Sequence, residues 1–452
     1  MSNLKVGYAQ VNVNPPLGIG VDGYYIPRYA KGFLDDIEVR AAVISRGSKK
    51  IALISVDICG FYGNDTDEYC AEIERATGIP KDNIFLSGTH THTGPCVTPP
   101  KGFEVDEAQI EKYVEFLKQR IADAAQLALA DLKPAKMGHI VGQAPERVAY
   151  IRRYKMKDGS TMTCPPINDP NIDYPIGTLD QQVNVIRFDR ENADTIVLMN
   201  YGLHADCINL DQISPDWPGW MARTFEACIP DAKCVFLNGC EGDVGSTHVN
   251  PCGGDMNDTL ISFDNEMKSD GMARFVGRAL CGTILQVYDK VEYVDVDELR
   301  VMEKVVTVPA NKAKPEQLPL AHKYKELHDA GRDDLIPYTA MELTTVVAEA
   351  VRMCKLENGP DFFQLPLTGL KIGPIGFCGI PGEPFTDIGR ELKKTEGYRC
   401  ILPMALTNGS EGYYLMRSAF DEGGYEARSS RYQGGVAEQI IADGQALLKE
   451  LL

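Results

Sequence analysis

Short apolar runs that stop at glycine-bearing loops recur along this chain, and their order predicts its architecture. Residues 6–13 alternate apolar and polar, as a half-buried strand does, and stop at Asn14-Pro15-Pro16-Leu17-Gly18. A long loop containing glycine and tyrosine follows. Residues 37–45 and 50–56 predict a hairpin around Arg46-Gly47-Ser48, and its second strand ends at Asp57. Next come a loop, an amphipathic helix at about 65–77, and a short strand at 83–86. That strand runs into Gly88-Thr89-His90-Thr91-His92-Thr93-Gly94.

The same order of strand, loop, helix, strand and glycine loop appears twice more. In the second copy a strand at 195–200 leads to His204, and a helix at 220–228 precedes a strand at 234–237. It ends in a loop from Asn238 to Ser246. In the third, residues 375–380 run into Pro381-Gly382-Glu383-Pro384, a helix covers about 385–395, and residues 400–405 lead to Asn408 and Tyr413. Further helices are predicted over 109–132, 345–356 and 435–451, with a polar helical excursion at 312–331. The expected fold is α/β: layered mixed sheets flanked by helices, built from repeated modules, with 1–452 as a single large domain.

Strands of this kind bring their carboxyl ends to one edge, where open α/β sheets place their sites. His90, His92, His204, Asp57, Asp243, Glu383 and Tyr413 all fall just after predicted strand ends. In extended backbone, His90 and His92 would point the same way, presenting two imidazoles to one metal, or one to a metal and one to its substrate. Alone, such a pair is more often solvated or packed than metal-binding. Three of the chain's seven histidines belong to this set. His139, His322 and His328 lie in strand or polar helical contexts and suit structural roles, and His248 is open to either reading.

Composition narrows the partners. Over 452 residues, 44% hydrophobic and 24% charged content describes a globular protein, and a net charge of −18 disfavours nucleic acid and anionic membranes. No window of about 18 apolar residues and no signal-peptide pattern occurs. Thirteen cysteines without Cys-x-x-Cys spacing suggest reduced thiols, hence a cytoplasmic protein; the expected partners are a small-molecule substrate and further copies of the chain in a possible homo-oligomer. Arg147, Arg152 and Arg153 stand in one stretch, as ion-pair partners or as an anchor for a carboxylate or phosphate.

Gly88-Thr-His-Thr-His-Thr-Gly-Pro95 resembles the Gly-Thr-His-Thr-His-Ser-Gly-Pro signature of the neutral (alkaline, non-lysosomal) ceramidases, which are zinc amidases. The segments 200–204, Gly242-Asp243-Val244, Pro381-Gly382-Glu383-Pro384 and Glu411-Gly412-Tyr413 follow in the family's order, so the resemblance spans roughly 5–435. It implies a Zn²⁺ held by His90, His204, Glu383 and Tyr413. His92 would orient substrate or carry protons, and a substrate-contacting arginine would be Arg147, with Arg152 or Arg153 as alternatives. Asp243 or Asp57 would orient a ligand histidine.

Two departures bear on what the resemblance implies. The family's serine after Gly-Asp-Val is Gly245 here, with Ser246 one position later as the candidate in its place. The family's C-terminal immunoglobulin-like domain has no room after the tyrosine segment. The expected function is a zinc-dependent hydrolase attacking an amide with metal-activated water. An ester or lactone of a small polar substrate is the alternative bond, and a catalytically lapsed, metal-stabilised binding protein the alternative class.

Overall fold

The computed structural model describes residues 4–62, 65–99, 105–251 and 268–452. Each predicted module is present, and each is larger than its sequence signal. The first runs Leu4–Asn12, Glu38–Arg46, Lys49–Val56, a helix Asp65–Thr77, then Ile84–Gly88. The second repeats this with Lys133–Gln143, Gln182–Arg190, Thr195–Tyr201, a helix Asp216–Cys228 and Ala232–Asn238. The third uses Leu299–Pro309, Phe362–Ile372, Ile375–Gly379, a helix Thr386–Leu392 and Cys400–Met404. In all three the first three strands pair antiparallel, and the helix returns the chain to a parallel fourth strand. A parallel neighbour needs such a crossover.

Two modules fuse into one nine-stranded mixed sheet through a short antiparallel pairing, Lys5 opposite Pro134 and Val6 opposite Lys133. The third forms a separate four-stranded sheet. These sheets stack face to face. Leu4, Leu53, Phe85, Ile186, Leu198 and Val235 from the larger sheet share one core with Leu370, Ile375, Phe377 and Leu402 from the smaller. Each such fully buried side chain is worth ~1.5–3 kcal/mol. The opposite face of the large sheet is covered by the helices Asp65–Thr77, Glu107–Ala130, Asp216–Cys228 and Asp270–Tyr288. The outer face of the small sheet is covered by Thr386–Leu392 and Val436–Glu450. The result is a four-layer arrangement of helices, sheet, sheet and helices, the mixed α/β class the sequence predicts.

Side chains and backbone tie the carboxyl ends of the three modules together. The Asn408 amide donates to the Ile84 carbonyl at 3.0 Å and accepts from the Leu86 N–H at 2.8 Å. Asn200 donates to the Leu237 and Pro403 carbonyls, and Ala405 N–H bonds the Asn238 carbonyl. Three glycine loops therefore open onto one place.

Candidate active site

The loop after Ile84–Gly88 carries His90 and His92, but strand alternation is not what aims them. His90 adopts left-handed backbone, φ 68°, a conformation that costs a non-glycine residue about 1 kcal/mol or more and persists only where its surroundings fix it. The His90 N–H bonds the Ile58 carbonyl at 3.0 Å. The turn brings the two Nε2 atoms to 3.4 Å, so the histidines converge by a tight turn rather than by extended chain.

His204 enters from the second module and Glu383 from the third. Glu383 Oε2 lies 3.3 Å from His90 Nε2 and 3.2 Å from His204 Nε2. All three residues are buried. Behind them each ring is pinned by backbone: His90 Nδ1–H donates to the Cys59 carbonyl at 2.7 Å, and His204 Nδ1–H to Glu241 and Val244 carbonyls at 2.8 and 3.0 Å. This fixes the tautomer that leaves each Nε2 lone pair facing Glu383, the arrangement a metal-ligating histidine needs. The close approach depends on Gly242, where a Cβ would stand 2.5 Å from the Glu383 carbonyl.

The electrostatics suit a cation. Burial and then Arg152 lower His204 to about 4, leaving its ring neutral. For His90 burial also disfavours charge, but Cys59 and Glu383 outweigh it and pull the ring toward protonation. Burial would raise Glu383, and His90 and His204 hold it well below the usual carboxylate range. Positive charge is thus favoured between His90 and Glu383, as a bound cation would be. Nitrogen, nitrogen and carboxylate within 4.8 Å of one another form a donor set that fits zinc.

Tyr413 pairs with Glu383 across a two-residue parallel ladder, and the Arg152 guanidinium lies 5.4 Å from its ring centre. Burial, with Glu383 beside it, pushes the phenol up. Arg152 is the arginine at this cluster. Its Nη1 lies 3.1 Å from His204 Nε2, its Nη2 donates to the Gly242 carbonyl at 2.9 Å, and its Nε donates to Glu426 at 2.8 Å. Arg147 is exposed in a left-handed turn, φ 72°, and Arg153 is committed to Glu422 and the Gly423 carbonyl. A two-residue ribbon pairing Tyr150 and Ile151 with Gly245 and Val244 is what selects Arg152.

Other candidates lie elsewhere. Asp243 accepts from the Thr386 N–H and hydroxyl at 2.8 and 3.0 Å, fixing the start of the helix Thr386–Leu392. Asp57 accepts the Glu38 N–H at 2.9 Å. Backbone carbonyls, not these carboxylates, orient the histidines. Ser246 is buried with its side chain hydrogen-bonded to the Cys207 thiol, while Gly245 lies beside the Arg152 side chain. His139 sits in a strand opposite Ile186, and His322 and His328 pair with Glu357 and Asp333. His248 stacks on Tyr150 at 4.6 Å.

Two acidic residues were not singled out in the sequence. Asp206 Oδ1 is 3.6 Å from His92 Nδ1 and accepts from Tyr24, while its other oxygen pairs with Lys268. Burial alone would raise Asp206, but Lys268 and His92 hold it well below the usual range. Asp206 follows His204 by two residues, a spacing visible in the sequence. Glu241 is wholly buried in the acidic loop after Ala232–Asn238.

No protein-family model matches the chain, and no curated protein matches it by sequence. Solved structures do match by fold. The crystal structure of neutral ceramidase from Pseudomonas aeruginosa superposes with a TM-score of 0.71 at 16% identity, covering 99% of this chain and 74% of that one. A ceramidase complexed with C2 gives a TM-score of 0.71 at 17% identity, covering 99% and 76%. The fold is therefore similar to that of the neutral ceramidases over essentially the whole chain.

Proposed function

We propose that this chain is a zinc-dependent hydrolase that cleaves an amide, with the ion held by His90, His204, Glu383 and Tyr413. The observation that supports this most is the meeting of two tautomer-fixed histidines from different modules on one Glu383 oxygen. Zinc in such a site lowers the pKa of bound water to about 7 and polarises a carbonyl.

The chain's own residues supply the rest. His92, with Nε2 3.4 Å from His90 Nε2, is placed to give a proton to the leaving amine. Its Nδ1 faces Asp206, and Arg28 holds its backbone carbonyl at 2.6 Å. Arg152 and Tyr413 stand beside His204 and Glu383 and suit an oxygen of the substrate. An ester or lactone would need the same proton donor, and Ser246, held against Cys207, has no step in this scheme.

The amide bond is suggested by the ceramidase names of the structural neighbours. The substrate we favour is a smaller, water-soluble amide, ester or lactone with polar or anionic groups. Tyr24, Asp206, Lys268 and Arg152 around the histidines are charged or hydroxylated, and among the described residues no helix is long and apolar enough to cross a membrane. The twelve described cysteines are all free, which suits a reducing cytoplasm.

Metal analysis followed by assays on soluble amides, esters, lactones and micellar ceramide, with and without chelator, tests the proposal. About one zinc per chain and chelator-sensitive turnover are expected. Zinc without turnover on any member would favour a metal-stabilised binding protein, and cleavage of ceramide alone would overturn the soluble-substrate reading.

A further inference from the structure

Glu241 has no part in the scheme above, yet its placement is the least comfortable of any acid near the cluster. It is 0% exposed, and neither carboxylate oxygen has a hydrogen-bond partner. Its own carbonyl receives the His204 Nδ1–H, so the backbone is anchored directly behind a proposed ligand. Burial pushes its carboxyl well above the usual carboxylate range, while His90 favours its charged form and Glu383 opposes it. No Arg152 nitrogen bonds it, since all three lie on Glu426, His204 and the Gly242 carbonyl. A buried acid without a partner is expensive unless something bound compensates it.

We propose that Glu241 is a further cation-holding carboxylate, facing the ion of the His90, His204 and Glu383 site and raising the protein's affinity for it. This rests on the reading of that site as a metal centre. Glu241 stands outside the trio whose donor atoms lie within 4.8 Å of one another. It therefore acts on a dication as an outer carboxylate of the site rather than as one of that trio. With Glu383 it brings a second carboxylate to a divalent ion and offsets positive charge that Glu383 alone leaves.

The test is zinc affinity of the metal-free full chain, measured by competition with a chromophoric chelator. Glu241→Gln keeps the shape and removes the charge, and is expected to weaken zinc binding roughly 10–100-fold. Glu241→Met carries the same expectation, and its metal-free form should melt no lower than the parent's because a buried acid has gone. It serves if the Gln variant does not fold. Glu241→Asp, which keeps the charge, should bind more tightly than either. Zinc affinity within twofold of the parent in both Gln and Met variants would overturn the inference. His204→Ala separates the two levels. If it loses tight zinc while Glu241→Gln keeps it, only the role of Glu241 fails; if His204→Ala also keeps it, the metal centre itself fails.

Discussion

His90 and His204 come from loops more than a hundred residues apart and are held in the same way, whereas His92, two residues from His90, is held differently. Each of the first two has Nδ1 locked to a backbone carbonyl at 2.7 to 2.8 Å and Nε2 turned to Glu383. His92 has no hydrogen-bond partner at Nδ1. Asp206 stands 3.6 Å away, beyond hydrogen-bond reach. Its ring packs edge-on to Tyr24 and over Gly23, where a Cβ would lie 2.6 Å from the imidazole. A locked ring with one free lone pair suits a ligand. A ring whose Nδ1 is bonded to nothing, with a carboxylate 3.6 Å away, suits a group that takes and gives a proton.

The largest effects should fall on the locked pair. His90→Ala or His204→Ala is expected to reduce bound zinc to background and to lower turnover at least ~10²–10⁴-fold, which elemental analysis and steady-state assays would show together. Zinc retained at one per chain in both variants would place the ion elsewhere. His92→Ala should separate the two readouts, keeping zinc at the parental stoichiometry while turnover falls ~10²-fold or more. Loss of zinc from that variant would erase the distinction between the two kinds of histidine.

A smaller effect is expected one step back from His92. Asp206→Asn keeps Tyr24 and Lys268 within reach of a polar group but removes the charge facing Nδ1. It should lower kcat roughly 10-fold with KM little changed, because orientation of the proton carrier is lost and substrate contacts are not. A rise in KM at constant kcat would instead make Asp206 and Lys268 a substrate-binding pair.

The same contrast explains what the sequence could and could not convey. Fully apolar strands such as Ile375–Gly379 and Cys400–Met404 announce themselves, and so do the loops that follow them, which is why His90, His92, His204 and Glu383 could be grouped before any coordinates. The long strands that open the second and third modules did not. Leu299–Pro309 carries Arg300, Glu303 and Lys304 and is only partly covered, so its polar pattern resembles a surface segment. Pairing across the chain was equally hidden. Arg147, Arg152 and Arg153 are chemically equivalent in the sequence, and only the ribbon between 150–151 and 244–245 decides which reaches His204. Glu241 looked like one more acid in a polar loop, because burial of a loop side chain leaves no periodic signal.

Asp57 offers the gentlest test of the division between carbonyls that orient rings and carboxylates that hold backbone. Its position after Lys49–Val56 suggested a partner for a histidine, but its carboxylate accepts the Glu38 N–H. Burial, with Glu38 nearby, pushes it up from 3.8 to about 7. Between roughly pH 4 and pH 7 the folded chain then keeps a proton that the unfolded chain has released. Stability attributable to this group therefore falls as pH rises through that window, by at most ~1.4 kcal/mol per pH unit, and levels off above it. Asp57→Asn cannot titrate and should flatten the slope of unfolding free energy against pH, measured by urea unfolding at intervals from pH 4.5 to 7.5. Asp243 and Asp216, raised to about 6 and about 7 mainly by burial, leave a residual slope of the same sign. A slope identical to the parent's would mean that the Glu38 N–H keeps Asp57 ionised. The zinc content of Asp57→Asn should match the parent's in either case, since no histidine of the cluster leans on that carboxylate.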